Sequence, residues 1–279
     1  MKNFLKGAYD LHIHTAPDVI ARKYNDRHTA QMVQDAGMAG FVVKNHYFET
    51  ASRAALLQKE FPGLTIAGGI TLNRSVGGIN PFAVEQAGKM GARMLWFPTM
   101  DSREFQAYKH RQEPDYDLTG LLTVLDANGE LTQEALDVLD TAAKYHMVVG
   151  TGHGNSQEGL KLVEAGCARG LKMVLTHVEH PAMGYTDAEQ IAASAMGAYI
   201  EHSYNDVFFK RCTIEDVAHQ IRITGGDRVF LSTDFGQVNA PDCDKGLALF
   251  AQELSALGFT DAELHHMMCT VPAQLLGIQ

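Results

Sequence analysis

Short apolar runs alternate along the chain with segments in which apolar residues recur at helical spacing. Most of these runs are continuously apolar, which is typical of strands that are buried on both faces of a parallel sheet. Asn25, Asp26 and Thr132 lie where they can cap the helices that follow them. The strand candidates are Ala8–Ile13, Gly40–Lys44, Leu64–Ile70, Arg93–Phe97, Met147–Thr151, Leu171–Thr176, Ala198–Glu201 and Arg228–Ser232. The helical segments are 28–37, 50–60, 132–145, 157–168, 187–196, 213–224 and 242–257.

Regular alternation of strands and helices predicts an α/β fold with parallel strands, and eight strands predict a closed (β/α)8 TIM-like barrel. The 279 residues suit one such domain, so we expect a single domain over residues 1–279. The connection at about 99–131 is longer than the others and contains a hairpin-like turn at Asn128–Gly129. Because this insertion follows the fourth strand, we expect it to lie over the mouth of the barrel.

Composition narrows the classes of partner and compartment. Hydrophobic residues make up 46% of the chain, enough for a sizeable core, and the net charge is −10 without any basic run. Nucleic acid and anionic membranes are therefore not expected as partners. We expect the partner to be a small-molecule substrate. Homo-oligomer formation is left open. We find no signal-peptide pattern, no membrane-spanning apolar stretch and no C-x-x-C pair among the four cysteines, so we expect a cytoplasmic protein.

Histidines are concentrated where barrel enzymes carry their active sites. Seven of the thirteen histidines lie at or just past the C-terminal ends of predicted strands. His12 and His14 are two residues apart on the first strand, so both side chains point to one face. Two imidazoles on one face suit a metal such as zinc, and the alternative is a hydrogen-bonded structural pair. The seven histidines are His12, His14, His46, His153, His177, His180 and His202.

Three later positions could complete a metal site. His153 lies in the glycine-rich segment VVGTGHGN after the fifth strand, and His177 directly ends the sixth. Asp234 follows the eighth strand, where a carboxylate is costly to bury unless it is paired or bound to metal. The alternatives are a surface histidine in a flexible loop for His153 and a helix N-cap for Asp234.

These candidates resemble, in their order along the chain, the metal ligands of the amidohydrolase superfamily: the H-x-H pair, His153, His177 and Asp234. The tail TVPAQLLGI also resembles a segment that is common near the C-termini of that superfamily. The resemblance extends from Asp10 to Ile278. It implies a metal-dependent hydrolase with one or two divalent ions, zinc above all, that cleaves an amide, lactone or other carbon ester. Asp234 would bind metal, accept a proton from the metal-bound water and pass it to the leaving group. His202 or His180 would polarise the substrate carbonyl or support the ligands.

The second and fourth strands depart from that pattern. Many binuclear members carry a bridging lysine or glutamate on the fourth strand, which here reads RMLWFPTMD and ends without one. Lys44 instead ends the second strand. We expect its side chain to point into the barrel, where a carboxylated Lys44 would bridge two metals. The alternative is that Lys44 is a cation that binds substrate or pairs with an acid, beside a single metal.

Two other functions remain. The segments DLHIHT and FVVKNHYFET are also similar to PHP-type phosphoesterases, with His46 at a position of that family's pattern, but the glutamate after the third strand and the terminal D-x-H are missing. A non-catalytic metal-binding protein is disfavoured, because structural zinc sites are normally closed by four ligands.

For substrate binding we expect His46, His180 and Arg74. Arg74 follows the third strand, where loops line the mouth of the barrel, and could hold an anionic group bidentately; the alternative is a surface arginine.

Overall fold

The computed structural model describes residues 4–278 and consists of eight parallel strands joined by helices. Neighbouring strands pair in sequence order, from β1 to β8. The sheet closes where the His14 amide donates to the carbonyl of Phe235, just past β8, at 2.8 Å. The predicted (β/α)8 barrel is therefore confirmed. The strands are β1 Tyr9–His14, β2 Gly40–Lys44, β3 Thr65–Thr71, β4 Met94–Trp96, β5 Val148–Gly150, β6 Lys172–Leu175, β7 Tyr199–Ser203 and β8 Val229–Ser232.

The helices form the outer layer of the barrel. Two of the predicted caps are present, since Asn25 accepts from the amide of His28 and Thr132 accepts from the amide of Ala135. The helices are α1 Asp26–Asp35, α2 Ala51–Glu60, α3 Pro81–Lys89, α4 Arg103–Lys109, α5 Gln133–Lys144, α6 Ser156–Ala168, α7 Asp187–Ala195, α8 Tyr204–Phe208, α9 Ile214–Thr224, α10 Cys243–Ala256, α11 Asp261–His265 and α12 Val271–Leu276. None of the helices in residues 4–278 has the length and apolar character needed to cross a membrane.

Two apolar layers lie on the two faces of the sheet. The outer layer packs strands against helices, and the inner layer fills the barrel with side chains such as Leu11, Val42 and Trp96. Val271 and Leu275 of α12 belong to the inner layer, together with Tyr9 at the start of β1. The C-terminal helix therefore closes the N-terminal end of the barrel and leaves the opposite end for polar groups.

A register shift in β1 aims the H-x-H pair. The pairing of β1 with β2 is interrupted between Asp10 and Ile13. In a regular strand Leu11 and Ile13 would share a face, yet Leu11 packs in the inner layer and Ile13 in the outer one. This bulge-like shift turns the end of the strand, so that His12 and His14 also face the interior.

The long connection between β4 and α5 lies over one side of the barrel mouth. It contains α4, and a bridge between Leu125 and Leu131 frames the turn predicted at Asn128–Gly129. The ring of Phe105 in α4 is 4.7 Å from the ring of His153. The insertion therefore covers the side of the barrel mouth at which His153 lies.

Closure of the barrel requires glycine at position 236. Gly236 has a φ of 143°, and an added Cβ would lie 2.0 Å from the carbonyl oxygen of His14. We expect Gly236→Ala to lower the free energy of unfolding by about 3 kcal/mol, from backbone strain and steric overlap together. Urea denaturation followed by circular dichroism measures the change. Gly170→Ala is the control, because its φ is 73° but its Cβ meets no atom within 4 Å. Equal losses in both variants would contradict the steric part of the argument.

Candidate active site

Five histidine side chains form a closed ring at the C-terminal end of the barrel. The ring centroids are 5.4 Å apart for His12 and His14, 4.6 Å for His14 and His46, and 5.9 Å for His46 and His153. The circle is completed by 5.3 Å between His153 and His177 and 5.1 Å between His177 and His12. All five side chains are buried. The structure thus brings together five of the seven histidines that the sequence places at strand ends.

Asp234 reaches into this ring from the segment after β8. One carboxylate oxygen, Oδ1, is 3.0 Å from Nε2 of His12 and 3.0 Å from Nε2 of His14. The other, Oδ2, is 3.8 Å from Nε2 of His177. The ligand atoms of His12, His177 and Asp234 all lie within 4.8 Å of one another, which is a suitable arrangement for one metal ion.

The hydrogen bonding of the ring also fits a metal. His12 Nε2 makes no hydrogen bond despite its 3.0 Å distance to Asp234, so the two groups are in contact without being aligned as donor and acceptor. Both ring nitrogens of His153 are buried without a partner. Buried polar atoms are rarely left unsatisfied, and imidazole and carboxylate groups are the usual ligands of zinc. The residues present therefore fit a divalent ion.

Carboxylates lie behind two histidines of the ring, and one of them makes a hydrogen bond that fixes the orientation of its histidine. Nδ1 of His12 is 2.8 Å from Oε1 of Glu201, which also accepts from the hydroxyl of Ser232. Nδ1 of His177 is 3.4 Å from Oδ2 of Asp206, a charge contact without a hydrogen bond. A histidine that donates from Nδ1 to a carboxylate presents the lone pair of Nε2 to a metal. One segment, β7 with α8, supplies both carboxylates.

The electrostatics favour a cation at the centre of the ring. Burial would raise the pKa of Glu201, but the charge of His12 holds it at about 2. Burial would likewise raise the pKa of Asp234, but His12 and His14 hold it well below its usual value. Burial would lower the pKa of His177, yet Asp206 and Asp234 raise it to about 9. The carboxylates of Glu201 and Asp234 therefore stay ionised, and the protonated ring of His177 supplies positive charge that a metal ion would supply in its place.

The other ring histidines are neutral. Burial lowers the pKa of His14 to about 3, helped by the charge of Arg22. Burial also holds the pKa values of His46 and His153 well below the ordinary value. Neutral imidazole is the form that binds a metal or accepts a hydrogen bond.

Lys44 lies under the ring, inside the barrel. Its side chain is fully buried, and Nζ makes no hydrogen bond and is 4.9 Å from the centre of the Trp96 ring. Burial lowers the pKa of Lys44 to about 8, although Asp234 and Glu201 act in the opposite direction. Within residues 4–278, no carboxylate pairs with this amine. The predicted inward orientation of Lys44 is present, and its carboxylation stays a prediction.

His202 points away from the ring. It pairs in register with Leu231, whose side chain packs in the outer layer, whereas the neighbouring Glu201 pairs with Phe230 of the inner layer. Nδ1 of His202 is 3.2 Å from Oε2 of Glu179. The structure therefore favours a supporting role for His202 over direct polarisation of a substrate carbonyl.

Two expected substrate-binding residues have different placements. The side chain of Arg74 is 58% exposed and pairs with Asp101 at 3.5 Å, so the structure does not bring it to the ring. His180 lies beside α4, with its ring 6.0 Å from Phe105 and 5.9 Å from Tyr108. Burial lowers the pKa of His180 to about 4, so it is neutral at the edge of the site. His180 keeps the position expected of a substrate contact and Arg74 does not.

Sequence patterns did not identify Arg22 as part of the site. Nη2 of Arg22 is 3.1 Å from Nδ1 of His14, and Nε donates to Asp18 at 2.7 Å. Glu179 was missed for the same reason, since it and Arg22 lie in connections without a helical or strand period, and Asp206 was missed because it lies on the short helix α8. The run EHSYND after the seventh strand was the available signal for Asp206.

Comparisons with known proteins identify a family and a shared fold. Among solved structures, an amidohydrolase from Pseudomonas aeruginosa is 14% identical with a TM-score of 0.67, over 98% of this chain and 96% of that one. A phosphotriesterase homology protein from Escherichia coli, complexed with phosphate in its active site, is 18% identical with a TM-score of 0.62, over 98% and 99%. A lactonase from Listeria monocytogenes is 12% identical with a TM-score of 0.61, over 100% and 97%.

At these identities the similarity establishes that this chain shares the fold of an amidohydrolase, a phosphotriesterase homology protein and a lactonase. A search of curated proteins found no match. Residues 7–201 match DUF6282, described as a family of unknown function. Because this match covers more than half of the 279 residues, the chain belongs to the DUF6282 family.

Proposed function

We propose that this chain is a metal-dependent hydrolase that cleaves an amide, lactone or other carbon ester of a small molecule. The observation that carries the proposal is the meeting of His12, His177 and Asp234, whose ligand atoms lie within 4.8 Å of one another at the barrel mouth. These three residues would hold the first ion, with zinc as the best match to the donor set. Such an ion lowers the pKa of a bound water to about 7 and makes hydroxide available at neutral pH.

Asp234 is the residue best placed to move a proton. Its side chain is 14% exposed, whereas the side chains of His12 and His14 are 0% and 1% exposed. Of these three side chains, Asp234 is therefore the one that a substrate can reach from the solvent. Its depressed pKa keeps the carboxylate ionised and ready to accept a proton from water. After the water has attacked, Asp234 would deliver that proton to the leaving group.

Other residues of the ring shape the space around the reacting groups. Phe105 packs on His153 and, with Tyr108, borders His180, so α4 screens one side of the site from solvent. Neutral His180 can then donate to or accept from a substrate oxygen at this edge. Exclusion of water strengthens each of these polar interactions.

A second ion is supported by buried nitrogen atoms that neither make a hydrogen bond nor contact the first ion. His153 has two buried ring nitrogens without a partner, and Lys44 Nζ has none either. A carboxylated Lys44 would offer oxygens to both ions, and His153 would complete the second. The site would then belong to the two-metal class of hydrolases.

Phosphoester hydrolysis is the second candidate, and one observation favours it. His46, which the PHP-like pattern requires, stacks on His14 within the ring at 4.6 Å. The end of β3 offers Thr71, and the segment after it offers Asn73, in place of the missing glutamate. Two expected ligands of that pattern are therefore absent, and we rank carbon-centred hydrolysis first.

Activity with and without metal separates these functions. We expect chain loaded with Zn²⁺, Mn²⁺ or Co²⁺ to hydrolyse members of an ester, lactone and amide panel and to leave phosphate monoesters intact. Chelation should abolish turnover, and readdition of the ion should restore it. Arg74→Met is the matched control, because Arg74 lies outside the ring, and it should keep wild-type activity. Phosphomonoesterase activity that disappears in His46→Ala would establish the second candidate instead. A wild type that binds no divalent ion would exclude both.

A further inference from the structure

An apolar cleft lies beside the histidine ring, between the connections that follow β1 and β2. Its volume is about 390 Å³, and its apolar walls are formed by Pro17, Val19 and Phe48. The two connections leave the barrel at His14 and His46, whose rings stack on each other at 4.6 Å. Phe48 follows His46 by two residues, which span at most about 7 Å. The cleft therefore begins within the length of a small substrate from the ring.

The apolar walls of the cleft are open to solvent. Val19 is 66% exposed and Phe48 is 58% exposed. Among the described residues, these two belong to neither of the apolar layers of the barrel. Exposed apolar surface in a concave site with a few polar groups is typical of ligand binding. The two side chains are therefore available to contact a ligand rather than needed for the core.

The charged side chains of the lining are already engaged. Asp18 pairs with Arg22 at 2.7 Å, and Arg53 pairs with Asp26 at 2.7 Å. Glu49 accepts at 3.0 Å from an amide in the first turn of α2. Within residues 4–278, the lining thus offers a charged ligand no counter-charge that lacks a partner of its own. Transfer of an unpaired charge into such a site is unfavourable, so the cleft favours a neutral group.

Asn45 forms the floor of the cleft, between Lys44 and His46 in the chain. It is the buried member of the lining, with 2% exposure. Its Oδ1 accepts from the amides of Tyr47 at 2.7 Å and Phe48 at 3.0 Å, and two donors at one atom identify that atom as the oxygen. Nδ2 is then the remaining atom, and it has no acceptor among the described residues. Because a buried donor without a partner is costly, an acceptor oxygen on a ligand would stabilise the site.

We propose that this cleft binds a neutral apolar group of the substrate on one side of the scissile carbonyl. Val19 and Phe48 contact the apolar part of that group, and Asn45 donates from Nδ2 to an ether, hydroxyl or carbonyl oxygen within it. The inference rests on the proposed function and names its substrate class. That class is an ester, lactone or amide with an uncharged alkyl or aryl group that carries an acceptor oxygen.

Matched ester series test the apolar walls. With Co²⁺-loaded wild type, kcat/KM should rise about threefold for each methylene added, either in an acyl series or in an alcohol series. Phe48→Ala should lower the ratio of kcat/KM between hexanoyl and acetyl esters by roughly 10-fold. Phe82→Ala is the control, because Phe82 is 76% exposed on α3, and it should keep the wild-type ratio. A ratio unchanged in Phe48→Ala, or a preference for chains that end in a carboxylate or ammonium, would overturn the inference alone.

Asn45→Asp tests the floor, because aspartate keeps an acceptor for both amides and loses the donor. Esters in which an ether oxygen replaces each methylene of a pentanoyl chain in turn are compared with the pentanoyl ester. Wild type should prefer the oxygen at one position, and Asn45→Asp should lower that preference by about 10-fold. The ratio cancels any general effect of the new charge on catalysis. A preference that survives in Asn45→Asp would show that Asn45 does not contact the substrate.

Binding of hexanamide to the metal-free chain gives a readout that needs no turnover. NMR signals of the Val19 methyl groups should shift, and Kd should rise about 10-fold in Phe48→Ala and stay unchanged in Phe82→Ala. Such binding by a chain that hydrolyses no ester, lactone or amide would overturn the proposed function but not the cleft. Turnover without hexanamide binding would overturn the cleft but not the proposed function. A dimer that Phe48→Glu converts to a monomer, with unchanged chain-length selectivity, would assign the cleft to a second copy of the chain and overturn the inference.

Discussion

Asp234→Asn is expected to lower kcat for ester or lactone hydrolysis by about 10³-fold, the effect of removing a group that transfers protons in the transition state. Asparagine keeps the shape of the side chain but cannot accept a proton at neutral pH. The two contacts of Oδ1 with His12 and His14, at 3.0 Å each, are sterically possible for the amide. The loss should therefore be in chemistry and metal affinity rather than in folding.

Kinetics at saturating Co²⁺ separate these two effects. Under that condition a fall in kcat reports the proton transfer, and a shifted metal titration reports the lost ligand charge. Asp101→Asn is the matched control, because that carboxylate follows β4 and pairs with exposed Arg74 outside the ring. It should retain wild-type kcat. If metal-saturated Asp234→Asn retained it as well, Asp234 would be a structural ligand and the proposed proton transfer would be wrong.

The barrel could be predicted because its strands are short, apolar and separated by helical periods. Each predicted strand overlaps the observed one, and Gly40–Lys44 agrees at both ends. Helix α3 was missed because its segment contains Gly88 and follows Gly77 and Gly78, which weaken a helical pattern. Helix α12 was seen only as a family-like tail. Its packing inside the barrel depends on contacts with β1, hundreds of residues away in the chain.

The ring of histidines could be predicted from one rule, that side chains at the C-terminal ends of parallel barrel strands converge. The rule says nothing about residues in connections. Arg22, for example, reaches His14 from a loop without periodicity, and Glu179 reaches His202 from the connection after β6. The contacts that such residues make with the histidines are therefore visible only in the folded chain.

Backbone conformation at two site residues was also beyond sequence patterns. His177 and Asp234 have φ values of 55° and 51°, in the left-handed region that residues with a Cβ rarely occupy. Such conformations cost roughly 1 kcal/mol each and persist where surrounding contacts hold them. Both residues lie two positions past the end of a strand, His177 after β6 and Asp234 after β8. Because Leu175 belongs to the outer layer, strand alternation would turn His177 outwards as well, and the left-handed turn instead brings its side chain to the ring.

Lys44→Met is expected to reduce bound metal from two ions per chain to one or none, because the bridge of a two-metal site would be lost. The wild-type amine is fully buried, unpartnered and has a pKa lowered by burial to about 8, so part of it is neutral near physiological pH. A neutral amine attacks carbon dioxide, forms a carbon–nitrogen bond and releases a proton, which leaves a carbamate. Methionine matches the length of the stem without a nitrogen that can react.

Loading experiments distinguish this carbamate from an unmodified cation. Bicarbonate should accelerate metal uptake by the wild type, and ¹³C-bicarbonate should yield a carbamate carbon signal that Lys44→Met lacks. Lys89→Met, at an exposed position on α3, is the control and should retain both effects. If Lys44→Met kept the wild-type metal content and the wild type showed no carbamate carbon, Lys44 would be a substrate-binding or structural cation. The unpartnered nitrogens of His153 would then need another explanation, because a single ion at His12, His177 and Asp234 leaves them unsatisfied.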